Sequence, residues 1–559
     1  MKRALPRIVE LDPRQIEDAL AQAKAVLPEQ TYQVLATIVE AYGFVLEQLA
    51  RKRASIGRLK RMLFGDRTEK TATLLESTAA QKQPLPETPK KPTAKKPKVP
   101  GHGRNGAADY PQAKKVVVPH GKLKSGGICP GCRKGKVYEQ AEPGVLVRVT
   151  GHAPLQAIIF ELGKFRCNLC GEIYTARPPE GVGTKKYDAT SVSMIANLKY
   201  GTGLPFHRLD RLQNNLGLPL PATTQWEIVS AAAKPLEPVF DELVRQAAQG
   251  KVLHNDDTTM KILARMSSRG REPEDAAAGH NGLKLKGERT GVFTSGIVSV
   301  TQDWRIALFF TGGRHAGENL EAVLARRGSG LAPPIQMCDA LSRNVPSEKF
   351  KTFLANCLAH GRRQFVEVME NFPAECGHVL EVMRKVYIHD AVARKRAMTT
   401  GDRLLFHQEK SGPLMEKLHN WMERQMVEKR IEPNSGLGEA IGYMLKHWAE
   451  LTLFLRRPGA PLDNNIVERA LKKAILHRKN ALFYKTDNGA RVGDIYMSLI
   501  YTCEMNDADP FDYLTQLQRH AKQVREHPEC WMPWNYPKAA RNVGVCDGTL
   551  GPLARKAGP

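Results

Sequence analysis

Residues 251–257 read KVLHNDD, a short stretch with a β-strand pattern that follows a glycine and ends in two adjacent acids. Residues 291–300 and 306–310 have the composition of neighbouring strands. A helical segment follows at residues 315–327, and the run IQMCD at residues 335–339 again ends in an acid. Three strands, a helix and a further strand predict a mixed α/β sheet.

Asp256 and Asp339 stand at the expected ends of two of these strands, where their side chains can converge on a cleft. Phosphodiester chemistry uses Mg²⁺ or Mn²⁺, which prefer carboxylate oxygens, and two ions can serve the attacking and the leaving oxygen. Aspartate is also common at strand ends for turn and capping reasons. The pair alone therefore leaves a structural role open, and Asp257 competes with Asp256.

Residues 461–475, PLDNNIVERALKKAI, predict a helix with Asp463 as its N-cap. The apolar positions that repeat at helical spacing are Val467, Leu471 and Ala474. Asn464 and Lys472 lie four residues before and after Glu468 and share its polar face. A carboxylate, an amide and a cation on one face suit a metal beside a phosphate. The alternative is an exposed glutamate that is ion-paired along its own helix.

The chain has 559 residues and a formal net charge of +25. This length exceeds what a single hydrophobic core supports and predicts several domains. The positive charge favours a polyanionic partner, of which nucleic acid is the commonest, over a generally basic solvated surface. No apolar run approaches membrane-spanning length and the N-terminus has no signal-like apolar core, so we expect no membrane association and a cytoplasmic location.

Two Cys-x2-Cys pairs, CPGC at residues 129–132 and CNLC at residues 167–170, are separated by 34 residues. Each pair offers two thiolates from one tight turn, and four thiolates make a closed tetrahedral Zn²⁺ site. A small module with little core needs such a metal to fold. We expect the zinc ligands to be Cys129, Cys132, Cys167 and Cys170, with two redox pairs as the alternative.

The N-terminal part of the chain divides into a helix and a linker. Apolar residues step by three and four between Leu35 and Leu63, which favours a coiled coil that makes a homo-oligomer, although packing on the same chain is the alternative. Periodicity then stops, and residues 90–124 carry ten Lys or Arg and one Asp. Such a basic, proline-spaced tract cannot build a core and can attract DNA phosphates.

Helices separated by the LGLPLP turn at residues 216–221 follow the cysteine module. They are compatible with a helix-turn-helix DNA reader, and equally with a helical packing layer. The expected domains are a helical coiled-coil region (1–70), a basic linker (71–125), a zinc-binding β module (126–185), a helical DNA-binding domain (186–249), a first core part (250–372), a helical insertion (373–456), a second core part (457–520) and a C-terminal tail (521–559).

Several stretches resemble the large transposase of the insertion-sequence 66 family, a group of bacterial D-D-E transposases. The resemblance runs from residue 59 to the C-terminus. Its most distinctive stretches are LKRMLFG at residues 59–65, CLAHGRRQF at 357–365, DNNIVERAL at 463–471, RKNALF at 478–483 and DPFDYL at 509–514. This chain differs from the family pattern beside two acids, because Asp257 stands where Glu is common and Ala340-Leu341 replaces a Gly with a nearby Tyr.

The resemblance implies an RNase H-like catalytic core, with Asp256, Asp339 and Glu468 as the acids that hold two Mg²⁺ or Mn²⁺ ions. The separation of 129 positions from the second acid to the third implies an insertion, which is similar to what the family carries. Further polar residues in or beside the matching stretches would hold DNA phosphates or support the site. They are His360, Arg362, Arg363, Asn464, Lys472, Arg478, Lys479 and Asn480.

These features together predict a DNA transposase that binds the ends of an insertion sequence, cleaves them and joins them to target DNA. Small accessory proteins from the same mobile DNA are expected partners, and a bacterial, nucleoid-associated location follows. Two alternatives stay open. One is a DNA-binding regulator or inactivated transposase, and the other is a structure-selective nuclease of the RNase H-like fold.

Overall fold

The computed structural model describes residues 13–37, 39, 117–118, 123–139, 153–166, 168, 170, 173–180, 182–183, 185–267, 291–301 and 303–541. The chain forms two compact units. The larger unit comprises residues 1–82, 187–206 and 223–559, and the smaller unit comprises residues 83–186 and 207–222. Most of the expected coiled-coil seam and of the basic linker lies outside the described residues.

The smaller unit contains two hairpin-like turns that carry the cysteine pairs. In the first, Ile128 bridges Lys136 in antiparallel fashion around Cys129 and Cys132. In the second, strands β1 (Lys164–Arg166) and β2 (Ile173–Thr175) pair antiparallel on either side of the CNLC segment. Residues 157–160, whose sequence is rich in β-formers, do not form a strand.

The larger unit is built on a five-stranded sheet with the order β5-β4-β3-β6-β7. Its strands are β3 (Val252–Thr259), β4 (Phe293–Val300), β5 (Arg305–Gly312), β6 (Ile335–Cys338) and β7 (Phe353–Asn356). The β3–β4 and β4–β5 pairs are antiparallel, whereas β3–β6 and β6–β7 are parallel. The mixed α/β sheet that the sequence predicts is confirmed.

The helices follow the chain in an order that places most of them after the sheet. Those used below are α1 (Pro13–Val26), α2 (Ala189–Ala196), α3 (Phe206–Asn215), α4 (Ala222–Ala233), α5 (Glu237–Ala247), α6 (Leu263–Ser267), α7 (Ala316–Leu324), α8 (Leu358–Val368), α9 (Pro373–Lys395), α10 (Thr400–Lys410), α11 (Gly412–Val427), α12 (Gly436–Lys446), α13 (Trp448–Leu451), α14 (Asn465–Ala481), α15 (Asp487–Met505), α16 (Pro510–Arg519), α17 (Ala521–Glu526) and α18 (Tyr536–Arg541).

The register of the sheet aligns the two predicted aspartates. Val252 pairs with Ile335 and His254 with Met337, a constant offset of 83 residues that also separates Asp256 from Asp339. Asp339 directly follows β6, as expected, but Asp256 lies inside β3, which continues to Thr259 against its antiparallel neighbour β4. The strand-end position expected for Asp256 is therefore wrong, although the parallel pairing with β6 ends before it.

Helix α15 covers the outer edge of β5 with polar side chains. Asp494, Ser498, Thr502 and Asn506 follow one another at four-residue spacing, and each accepts a hydrogen bond from a backbone N–H of β5. A bare sheet edge invites pairing with another chain, and side chains that occupy its donors prevent this. The edge of the sheet is thus closed within the chain.

The segment between β7 and α14 is helical, as the sequence predicts, and contains α8 to α13. Its apolar side chains form one core with the ends of β6 and β7, in which Cys376, Met383, Met415 and Phe454 are almost fully buried. This core is continuous with Leu462, just before α14.

Helices at both ends of the larger unit also pack onto it. Helix α2 packs against α16, and α5 packs against β5 and α15. Residues 521–541, expected to be part of a tail, are folded, and Trp531 is only 2% exposed. In the described part of the chain, no helix combines the length and apolarity needed to span a bilayer.

Candidate active site

Asp256 and Asp339 lie side by side and share one neighbour, Asn344. The Asn344 side-chain amide donates to Oδ1 of Asp339 and approaches Oδ1 of Asp256 at 3.5 Å. Asn344 is fully buried, and its backbone oxygen accepts hydrogen bonds from Asn255 and Gln336. The loop after β6 is therefore fixed with an amide donor between two carboxylates.

Glu468 faces the same place from α14. This helix crosses the sheet at Gly296, where an added Cβ would lie 3.0 Å from the Leu471 side chain and 3.2 Å from that of Val467. Gly296 is the cross-strand partner of Asp256, so both positions project to the face that α14 covers. The predicted buried stripe of Val467, Leu471 and Ala474 is confirmed.

Burial, together with the neighbouring Asp339, Asp257 and Glu468 carboxylates, raises the pKa of Asp256 to about 7, against a hydrogen bond from the Asp257 N–H. Asp256 thus lies within electrostatic range of both Asp339 and Glu468. A partly buried cluster of three acids is unfavourable without protons or a cation.

Asp257 points to the opposite face of the sheet, because successive residues of a strand alternate. Its Oδ2 lies 2.8 Å from His315 Nδ1, and its Oδ1 lies 3.4 Å from the Arg343 guanidinium. His315 is also the N-cap of α7, whose Glu318 accepts from the His315 N–H at 2.9 Å. Asp257 is therefore paired within the fold, on the side away from Glu468.

Asn464 ties the start of α14 to β3 and is fully buried. Its Nδ2 donates to the Asn255 backbone oxygen at 3.1 Å, and its Oδ1 lies 3.0 Å from Nδ1 of His254. Burial lowers the pKa of His254 to about 4, so the ring is neutral and donates from Nδ1. The structure gives Asn464 a positioning contact in place of the expected exposure to DNA, and it is the N-cap position in place of Asp463.

His360 and Cys357 stand next to Glu468. Nε2 of His360 lies 3.8 Å from Oε1 of Glu468, with the two side chains 25% and 29% exposed. Donor atoms of Cys357, His360 and Glu468 all lie within 4.8 Å of one another, a spacing that could hold a metal ion. Burial raises the pKa of the Cys357 thiol to about 11.

The other predicted DNA-contacting residues differ in exposure. Arg363, Lys472 and Lys479 are exposed, whereas Arg362 and Asn480 are half-buried. Arg478 is also half-buried and donates to Thr258 and to Thr259 on β3. Asn480 donates to the Gly203 backbone oxygen at 3.1 Å. Arg478 and Asn480 therefore make structural contacts, and the three exposed cations remain open to a phosphate.

The first cysteine pair lies in a tight turn that is closed by hydrogen bonds to both cysteines. Cys129 accepts at its carbonyl from the Arg133 N–H, and Cys132 Sγ accepts from the Gly135 N–H at 3.3 Å. Backbone N–H groups around Cys132, together with a hydrogen bond from Cys129, lower the pKa of the Cys132 thiol. Cys170 is exposed before β2, and Cys167 lies outside the described residues.

Three positioning residues had not been expected from the sequence. Gly296 had a usable signal, because a glycine inside an apolar strand often marks close approach of another segment. The sequence contains no such signal for His254, because its partner Asn464 lies 210 residues away. It contains none for Asn344 either, because its partner Asp256 lies on a separate strand.

The sheet and its three clustered carboxylates define an α/β protein with a partly buried acidic site. The family model for the transposase IS66 family matches residues 185–492. The chain belongs to this transposase family.

Curated relatives of similar length come from Sinorhizobium fredii (strain NBRC 101917 / NGR234). The uncharacterized protein y4hP is 25% identical over 519 residues, which cover 87% of this chain and 88% of the relative. The uncharacterized protein y4jD is 24% identical over 528 residues, which cover 88% of this chain and 96% of the relative.

Proposed function

We propose that this chain is a D-D-E transposase that binds the ends of an insertion sequence, cleaves them and joins them to target DNA. The observation that carries the proposal is the meeting of Asp256, Asp339 and Glu468 on one face of the sheet. Membership of a transposase family supplies the reaction class. Asp257 is a less suitable candidate than Asp256 for the first metal-binding acid, because it is paired on the opposite face with His315 and Arg343.

The core of the larger unit is proposed to be RNase H-like. Support comes from a five-stranded mixed sheet whose first three strands in chain order form an antiparallel meander, with two parallel strands added beside the first. We assign the core to residues 250–372 and 457–520, the insertion to 373–456, and the regions before residue 250 as the sequence predicts. The packing of α2 and α5 onto the larger unit favours a helical layer for part of the 186–249 region.

The three carboxylates fit two Mg²⁺ or Mn²⁺ ions. The pKa of Asp256 is raised first by burial and then by the neighbouring carboxylate charges, which a cation would offset, and these hard cations prefer carboxylate oxygens. When bound, such ions supply Lewis acidity and an activated oxygen nucleophile. The smaller unit is proposed to hold structural Zn²⁺ through Cys129, Cys132, Cys167 and Cys170.

The residues of the chain orient the reactants around that site. Asp256, Asp339 and Glu468 would hold the cations while Asn344 and the His254–Asn464 pair keep β6 and α14 in register. Exposed Arg363, Lys472 and Lys479 would bind DNA phosphates beside the scissile bond, which fixes the DNA without reading its sequence. A freed 3′-hydroxyl is then placed against target DNA by the same site, so no covalent protein–DNA intermediate is required.

The proposal is tested by metal-dependent cleavage and joining of DNA carrying the terminal repeats. Asp256→Asn, Asp339→Asn and Glu468→Gln should each lower strand transfer by at least about 1000-fold, because each removes a ligand from the catalytic ions. Binding to the DNA ends should persist, as measured by gel shift. Asp257→Asn is the matched control on the same strand and should retain activity in protein that is folded.

The rival functions predict other outcomes. A regulator or inactivated copy binds the ends without metal-dependent cutting by the unmodified chain. A structure-selective nuclease cuts without joining. An active single mutant of one acid would remove that acid from the site.

A further inference from the structure

A strained turn immediately follows α14. Leu482 has φ 69° and ψ −40°, and the Phe483 N–H donates to the Ala481 oxygen at 2.9 Å. This is a three-residue γ-turn of the rare hand, which is unfavourable for a side chain as bulky as leucine. Strain of this kind persists only where the surroundings enforce it, and it concentrates at functional sites.

Both flanks of the turn are anchored. On one side, the Leu482 N–H donates to the Arg478 oxygen, and Arg478 is itself bonded to Thr258. On the other side, Tyr484 is 5% exposed, its N–H donates to the Lys261 oxygen, and its ring stacks on His477 with centroids 4.4 Å apart. The fold therefore holds the turn in place from both ends.

The strained backbone at Leu482 does not serve to bury the side chains of the turn. Leu482 is 61% exposed and Phe483 is 40% exposed. We call these two side chains the apolar tip. Exposed apolar side chains on a restrained backbone are ready to contact a partner without further loss of backbone entropy.

Charge around the apolar tip matches nucleic acid. Lys261, Lys479 and Lys485 are exposed on the segments that flank it. A basic surround with an apolar centre suits a polyanion that also offers flat aromatic faces, and nucleobases have this character.

The apolar tip is also within reach of the acids. Tyr484 bridges Ile262, which lies six residues after Asp256. Leu482 lies 14 residues after Glu468 at the end of α14, and a rise of about 1.5 Å per helical residue places its backbone about 21 Å from that acid. With bases spaced at about 3.4 Å, this corresponds to about six base steps from the site of cleavage.

We propose that the apolar tip is a binding site for an unstacked nucleobase at the end of the DNA, with Phe483 as the stacking platform and Leu482 as a wedge. This assignment rests on the proposed transposase function. Insertion of an apolar wedge opens a base step, and stacking on an aromatic ring stabilises the displaced base.

The test uses the full chain and a terminal-repeat duplex with 2-aminopurine placed singly at each of the last six positions. In Ca²⁺, the wild-type chain should raise the fluorescence severalfold at one or two positions. Phe483→Ala and Leu482→Gly should lose most of this rise. Leu482→Gly also relieves the positive φ, so its melting temperature should not fall, which separates a binding role from a folding role.

Affinity gives a second measure. Phe483→Ala should bind an end with unpaired terminal bases about tenfold more weakly, with little change on intact duplex. Leu331→Ala is the control, since Leu331 is 46% exposed and precedes the opposite end of β6.

Three results would overturn the assignment. They are an unchanged fluorescence in the variants, no rise in a wild-type chain that cleaves DNA, and a change of sedimentation behaviour in place of a change in DNA binding. The last would indicate a protein partner. Failure of the transposase proposal is distinct, because the wild-type chain would then not cleave in Mg²⁺.

Discussion

At the scale of single residues, the site depends on which face of a strand a side chain occupies. Asp256 and Asp257 are adjacent and chemically alike, yet one meets Glu468 and the other meets His315. Successive side chains of β3 point to opposite faces of the sheet, so the two aspartates are separated. The acidic cluster forms on the face that α14 approaches closely at Gly296.

Gly296→Ala should reduce strand transfer strongly and destabilise the fold by about 1–3 kcal/mol, because the new methyl overpacks against Leu471 and Val467. Thermal unfolding and a joining assay measure the two effects. Gly312→Ala is a matched control in the same sheet, since its added Cβ would meet nothing within 4 Å. Equal effects of the two substitutions would show that helix approach is not what Gly296 permits.

Asn344→Ala should weaken divalent-metal binding, because the amide donor between Asp256 and Asp339 is lost. Without metal, the stability of this variant should depend more steeply on pH than that of the wild type. Isothermal titration with Mn²⁺ measures the binding. Asn344→Asp places a fourth acid at the same position and should disturb the metal-free protein more. Unaltered Mn²⁺ affinity in both variants would remove Asn344 from the positioning of the acids.

At the scale of elements, the pairing of α15 with the edge of β5 shows how a helix can close a sheet. Its four polar side chains at four-residue spacing match the backbone donors of the strand. Asp494 is the one acid among these four side chains, and burial raises its pKa to about 7 against hydrogen bonds from Thr311 and the charge of Arg491. Tyr484 lies close enough to feel the Asp494 charge.

The raised pKa of Asp494 gives stability a defined pH dependence. The folded state keeps the proton that the unfolded state releases near pH 4, so stability is lost as the pH rises from about 4 through about 7. Asp494→Asn should therefore lose less stability than the wild type between pH 5 and pH 8, by denaturant unfolding at each pH. Parallel pH profiles for the two proteins would refute the assignment.

At the scale of the whole molecule, the two compact units are proposed to depend on different metals. Hydrogen bonds at Cys132 lower the pKa of its thiol, which favours the thiolate form that binds metals. Metal bound to such turns contributes directly to folding. The larger unit instead buries an extensive apolar core, and the metal ions proposed for it serve catalysis.

A chelator, or Cys132→Ser, should release about one Zn²⁺ per chain and increase amide exchange within residues 123–180, because the turns lose their cross-link. The main unfolding transition of the larger unit should stay within a few degrees. Metal analysis and hydrogen exchange provide the measurements, and Cys503→Ser serves as a buried non-ligand control. Retention of zinc in Cys132→Ser would contradict the four-cysteine site.

The sequence by itself determined the mixed sheet, the helical stretch before Glu468, the buried stripe of α14 and the family, because these depend on local periodicity and on continuous motifs. The tertiary structure decided the facing of Asp256 away from Asp257, the burial of Asn464 and the placement of Asn344 between two acids. Each of these depends on contacts between residues far apart in the chain, or on the register between strands. Composition and spacing contain no information about which distant backbone will supply the partner.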